Sequence, residues 1–187
     1  MAVEARSPLG SIIHFYRLTH DRLLKASEEL TPDQFVWSAG PSLHSVAWQL
    51  WHSARWDDFF AAHVQADFER EPSTEVWARE GLGDEWGFAT GTLGRRDAGT
   101  LMDDASAEAM RFRDQAAVID YARRAFGFAA SAIGDIPESV LFAVAKDDKD
   151  GDTYFDNIVI YHEHLSRHLG MIEAIRGLQG LSGTTTR

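Results

Sequence analysis

The segment Tyr161-His162-Glu163-His164-Leu165-Ser166-Arg167-His168 carries the most chemically suggestive spacing in the chain. His164 and His168 are four residues apart, so on a helix they stand one turn above each other, with about 6 Å between ring bases. Two imidazoles so placed can grip one metal ion. With His164 as origin and about 100° per residue, Ile160, Tyr161, Met171, Ile172 and Ile175 fall between about −40° and +80°. The pair is therefore expected to point into the protein. Buried imidazoles need partners. The facing candidate is His52, at the centre of a stripe made by Trp48, Trp56 and Phe59. His63 shares that stripe but sits about 16 Å further along the axis, and His44 about 12 Å before His52. His52, His164 and His168 then form a three-His metal site of the open kind, with a position left for water or substrate.

The other histidines read more plainly. His14, His20 and His162 are expected at the surface, and His63 as a core or loop-contacting residue. Trp48 and Trp56 are packing residues and candidate walls of a substrate pocket. Asn157, two turns before His164, is a candidate to orient substrate. Arg55 and Arg167 flank their histidines and could hold a substrate carboxylate, although an ion pair is the simpler expectation.

Alternative templates fail. A His-Glu-x-x-His zinc motif would need histidine where Ser166 stands. No histidine has glutamate three residues before it, which excludes the di-iron bundle motif. Gly81-Leu82-Gly83 lacks the rest of a dinucleotide fingerprint, and no phosphate-binding loop or nucleophile elbow is present. The acidic run Lys146 to Asp152 lacks the glutamate of a calcium-binding hand and reads as a solvated turn.

The elements that must position these residues are helical. Pro8 to Leu30 predicts a first helix, with Ile12, Phe15, Thr19, Leu23, Ala26 and Leu30 on its apolar face. Breakers follow at Thr31-Pro32-Asp33 and Ser38-Ala39-Gly40-Pro41. A second helix is expected from a cap at Ser42 to about Glu69, a third from about Asp114 to Ile133, and a fourth from a cap at Thr153 or Asp156 to about Leu178. Leu141 to Ala145 reads as a short strand or extended segment. The fold class is all-α: one four-helix-bundle domain over residues 1–179, with a long irregular insertion at 72–110 between helices two and three. Within that insertion Glu75 to Glu80 suggests a short helix, and Trp77 and Trp86 argue for an ordered excursion. Residues 180–187 read as a flexible tail.

The 187 residues suit one domain, and 44% hydrophobic content suffices for a core. A net charge of −11 disfavours nucleic acid as a partner. With no cysteine, the chain has no thiol chemistry or disulfide of its own. No apolar run approaches the roughly 20 residues of a membrane span, and Met1 to Pro8 holds no apolar signal core, so a cytoplasmic setting with no membrane partner is expected.

The run from Ser42 through His52 to Asp58, the His164-x-x-x-His168-Leu169-Gly170-Met171-Ile172 segment, Val76 to Gly81 and the tail Arg176 to Thr184 together resemble the DinB-like (YfiT-type) metal-binding four-helix superfamily, and within it the mycobacterial-type branch. The resemblance implies that His52, His164 and His168 bind a divalent metal, commonly zinc or nickel, and that the chain forms a homodimer. Relatives include mycothiol-dependent maleylpyruvate isomerase and bacillithiol or mycothiol S-transferases. A metal-dependent enzyme moving a low-molecular-weight thiol onto a small-molecule substrate is thus the leading expectation. The rivals are a metal-dependent hydrolase and a non-catalytic metal- or small-molecule-binding dimer. The insertion departs from the family pattern and could reshape the pocket.

Overall fold

Each long helix begins where a side chain can accept from its otherwise unpaired first-turn amides. In the computed structural model, which describes residues 5–40 and 42–184, Ser7 caps α1 (Pro8–Glu28) and Pro8 presets its first turn. A Thr31–Gln34 capping box opens a short α2 (Pro32–Val36), so this breaker also starts a helix. Ser45, three residues later than expected, caps α3 (Val46–Asp67); Ser42 instead bonds Asp104 at 2.9 Å. Three short helices follow, α4 (Val76–Arg79), α5 (Leu82–Glu85) and α6 (Asp104–Ala109). Asp114 caps α7 (Gln115–Gly134), and a Thr153–Asp156 capping box opens α8 (Tyr154–Leu178).

The four long helices form the bundle. α1 and α3 each pack against both α7 and α8. Among the described residues there is no strand. The segment expected to be extended, Leu141 to Ala145, follows a 3-10 turn at Glu138–Val140 and holds one isolated bridge, between Val144 and Thr153. The acidic turn is closed by Asp148, whose carboxylate accepts from the amides of Asp150, Gly151 and Asp152. Residues 180–184 lie along α8, where Thr184 bonds Glu173 and the Ser182 carbonyl accepts from Arg176. Residues 1–4, read above for a signal, Pro41 of the second breaker and 185–187 of the tail lie outside the described residues.

α3 is the central element. The four bundle helices would leave part of its surface in water, but the 72–110 segment covers it. Trp77 and Trp86 are buried there, with Trp77 ring to ring at 5.3 Å from Tyr121 and 6.1 Å from Trp51. The fully buried Asp58 carboxylate accepts from the amides of Val76 at 2.7 Å and Trp77 at 2.8 Å and from the Tyr121 hydroxyl at 3.1 Å. Arg55, also buried, pairs with Glu75 at 2.7 Å and donates to the carbonyls of Arg96 and Asp97. Three charged residues of one bundle helix, Arg55, Asp57 and Asp58, are thus buried because each has its partners in place.

Three expectations are corrected. His20 is buried, not exposed: it bonds the Asp57 carboxylate at 2.6 Å and stacks on Phe126. Phe15 is 53% exposed, and Tyr16 takes the inward place, bonding Asp57 at 2.8 Å. His63 is exposed and stacks on Phe59, because it occupies the outward face of α3 at a level where Ala61, Ala62, Val64 and Gln65 are buried.

Replacing Asp58 with Ala removes one of the two carboxylates facing Arg55, 3.5 Å from its guanidinium, and leaves two buried amides without an acceptor. We expect a loss of about 3–5 kcal/mol in urea unfolding. A loss below about 1 kcal/mol would show that the cover over α3 does not depend on this carboxylate.

Candidate metal centre

The three histidines singled out by spacing come together. Nε2 of His164 lies 3.1 Å from Nε2 of His52 and 3.0 Å from Nε2 of His168. No other group of three or more histidine and carboxylate side chains with this convergence occurs among the described residues. His52 and His168 are 5% and 8% exposed, and His164 is half-buried.

The protons on these rings are accounted for. Nδ1 of His52 meets the Ala98 carbonyl. A carbonyl only accepts, so Nδ1 carries the proton and Nε2 is left as a lone pair. Nδ1 of His168 lies 2.5 Å from Gln49 Oε1. The Gln49 amide nitrogen points to the His44 carbonyl, which turns its oxygen toward His168. His168 therefore also presents a bare Nε2. Nδ1 of His164 is buried without a partner. Its single proton can satisfy at most one of the two Nε2 contacts at His164, so the bare lone pairs of His52 and His168 cannot both find a donor there. A tetrahedral ion with nitrogen ligands at about 2.0–2.1 Å would space those nitrogens about 3.3 Å apart. The two sides that meet at His164 need an expansion of only a few tenths of an ångström, and the ligand atoms of all three rings lie within 4.8 Å of one another, so the donor set fits a divalent cation.

Burial drives the electrostatics. Desolvation first, and then the neighbouring His164, pushes the His52 imidazole down to about 3. Desolvation, with His52 and His164 beside it, pushes His168 down to about 2. His164 is also lowered, chiefly by burial. Neutral imidazoles, the form that binds metals, therefore persist in the folded protein well into acid.

The elements behind this geometry include one that the sequence reading set apart. Residues 93–100 form a loop closed by hydrogen bonds from Gly99 to Leu93 and from Arg95 to Thr100, each 2.7 Å. Asp97 anchors it through the amides of Gly91 and Leu93, and Arg55 holds two of its carbonyls. The loop then lies flat on α3. At Gly99 (φ +88°) a Cβ atom would come within 2.7 Å of Trp48, 3.0 Å of Trp51 and 3.1 Å of His52 Nδ1, so only glycine lets the Ala98 carbonyl reach His52.

The pocket candidates separate. Trp48 does not line the opening; it stacks beneath His52, ring centroids 4.6 Å apart, with His44 on its other side at 4.3 Å. Trp56 does line a cavity of about 260 Å³ with Thr100, Ile160, Tyr161, His164 and Arg167. Asn157 is displaced from this role: its amide is spent on Asp148 and the Thr153 carbonyl at the start of α8. Arg55 is an internal ion pair, and Arg167 pairs with Glu163 at the surface. The inward face of α8 is rotated from the expected arc. Leu165, Ile158 and Ile172 are fully buried, whereas Ile160 and Met171 are 47% and 40% exposed. His164 consequently sits at the edge of the buried face, which opens the centre to the cavity. Gln49, Ala98, Gly99, Thr100 and Tyr161 were not foreseen as site residues.

The family profile described as the DinB superfamily matches residues 16–172 of this chain. The chain belongs to the DinB superfamily. Its match spans α1 to α8 and includes all three histidines. The DinB-superfamily bundle is also similar to the crystal structure of a conserved protein from Enterococcus faecalis, with a TM-score of 0.75 and 17% identity, over 93% of this chain and 98% of that one. At that identity the likeness concerns the fold. No curated protein matches the chain.

Two outcomes test the centre's construction. Gln49→Ala and Gly99→Ala should each weaken zinc binding about 10- to 100-fold in competition with a chelator, while His63→Ala leaves it unchanged. The folded pKa values of His52 and His168 lie below the unfolded value of about 6.5, so the unfolded chain takes up protons first. Metal-free stability should therefore fall as pH drops from about 6.5 toward 4, by roughly 1 kcal/mol per pH unit for each such histidine. The His164→Ala/His168→Ala variant should show a shallower slope, and an unchanged slope would contradict this assignment.

Proposed function

We propose that this DinB-superfamily chain is a metal-dependent enzyme that joins a low-molecular-weight thiol to a small electrophilic substrate. The observation carrying the proposal is the convergence of three imidazole Nε2 atoms, two with their protons committed elsewhere, beside an open cavity. His52, His164 and His168 would hold the ion, zinc or nickel. Bound there, it would lower the pKa of a thiol so that the thiolate is present near neutral pH.

The chain's own residues do the rest. Gln49 and the Ala98 carbonyl keep His168 and His52 in the ligating tautomer. Trp48 beneath His52 keeps its ring from turning. Trp56, fixed by its bond to Thr100 at 2.9 Å, and Tyr161, stacked on Phe60 at 4.1 Å, wall the cavity against bulk water. Neutral ligands leave the cation's charge undiminished on whatever fills the open position. The sulfur of the thiol forms the bond to the electrophilic carbon. Its proton is released to solvent when a leaving group departs with its electron pair, or ends on the neighbouring carbon when the electrophile is a double bond. The chain contains no cysteine, so the sulfur must come from a separate molecule.

A cytoplasmic setting, where small thiols stay reduced, membership of the mycobacterial-type branch and a homodimeric assembly belong to the same proposal. No helix of the described residues is long and apolar enough to cross a membrane.

Zinc- or nickel-loaded protein with N-acetylcysteine and 1-chloro-2,4-dinitrobenzene should form the thioether. Omitting the thiol should abolish turnover, and His52→Ala should cut it by at least about a hundredfold. Substrate cleavage without thiol would favour bound hydroxide and hydrolysis, and a folded, metal-loaded chain inert toward both would favour a binding role. Sedimentation velocity at micromolar concentration should show a dimer, and a clean monomer would contradict that part.

A further inference from the structure

The cavity beside His164 is lined by Trp56, Thr100, Ile160, Tyr161, His164 and Arg167. Although the chain carries a net charge of −11, no carboxylate is among these residues. Apart from His164, the polar side chains of the wall can donate to a ligand. Thr100 Oγ1 already accepts from Trp56 Nε1, so its hydroxyl proton is free to donate. Among the described residues, no partner bonds the Tyr161 hydroxyl. Arg167 is one turn from His164 on the same helix, at i+3. Among the described residues its ion pair is with Glu163 at 3.0 Å, and it joins two side chains that are each 60% exposed. Such a pair is weakly held and exchanges readily for a better acceptor. A second guanidinium, Arg96, stands over Phe59 at 4.0 Å, and Phe59 lies 5.8 Å from Trp56. The remaining surface, Trp56 and Ile160, is apolar.

A cavity with a guanidinium and two hydroxyl donors but no carboxylate selects against amines and other cations. It suits a ligand that is apolar along its length and rich in acceptors at one end. We propose that the occupant is a small carboxylate with a flat apolar body: the carboxylate bonds Arg167, with Tyr161 and Thr100 as neighbouring donors, and the body lies against Trp56 and Ile160. The other end then reaches the histidine centre. Only that last element rests on the metal-centre proposal; the carboxylate site stands on the cavity itself.

Calorimetric titration of metal-stripped protein isolates the anion site. Benzoate should bind about tenfold more tightly than benzyl alcohol. Arg167→Gln, at an exposed position, should bring the two together while leaving benzyl alcohol unchanged. Equal affinities in the parent, weakening of both ligands alike in the variant, or no binding of either would overturn the proposal. Zinc-loaded protein titrated with 4-mercaptobenzoate and thiophenol tests the other end. Loading should tighten both aryl thiols and preserve the preference for the carboxylate. If loading changes neither while the benzoate preference holds, the metal reading fails and the carboxylate site survives.

Discussion

A neutral imidazole has one proton to place, and once it is buried that placement decides what the other nitrogen can do. In this protein the Ala98 carbonyl and the Gln49 side chain claim the Nδ1 protons of His52 and His168. Their Nε2 lone pairs are then driven into the same small volume, against His164. Without a cation, that arrangement is poorly satisfied; with one, every nitrogen of the triangle gains a partner. The bundle, its cover and the loop hold the His52 and His168 rings in this orientation through their Nδ1 partners.

The cover over α3 contributes most of that constraint. Four helices alone would leave the outer side of α3 wet, and a solvated Arg55 or Asp58 would hold nothing in place. Residues 72–110 remove water from that face and supply the partners that buried charges require. The loop at 93–100 is thereby fixed from below by Arg55 and seated through Gly99 on Trp48 and Trp51. A segment without bundle helices of its own thus sets the ring orientation of a metal-site histidine on α3, through one carbonyl. The same segment contributes Thr100 to the cavity wall, so it shapes both the centre and what can approach it.

Much of the bundle was legible because long helices announce themselves by period and caps. Asp114 and Thr153 start α7 and α8 where the sequence suggested. The spacing of His164 and His168 and the stripe around His52 were sufficient to bring three side chains together. What stayed hidden has physical reasons. A carbonyl such as that of Ala98 has no side-chain signature. Periodicity assumes that one face of a helix is buried, but α3 is covered on nearly all sides, so Arg55, Asp57 and Asp58 could not be sorted by angle. His20 looked exposed because its partner, Asp57, is distant in sequence. On α8, apolar residues occupy both the buried arc and the cavity rim, which shifted the expected face and drew Asn157 toward a site it does not join. Gln49, one polar residue in an apolar stretch, was the one second-rank participant that a closer reading of pattern could have found.

The central claim is that the three imidazoles are built to hold a cation. Elemental analysis of untagged protein, purified without added metal, tests it most directly when run beside His52→Ala and His164→Ala/His168→Ala. The account predicts about one divalent ion per chain in the parent and none in either variant, with helical content retained in all three. A parent that carries no metal and takes up neither zinc nor nickel on refilling would contradict it.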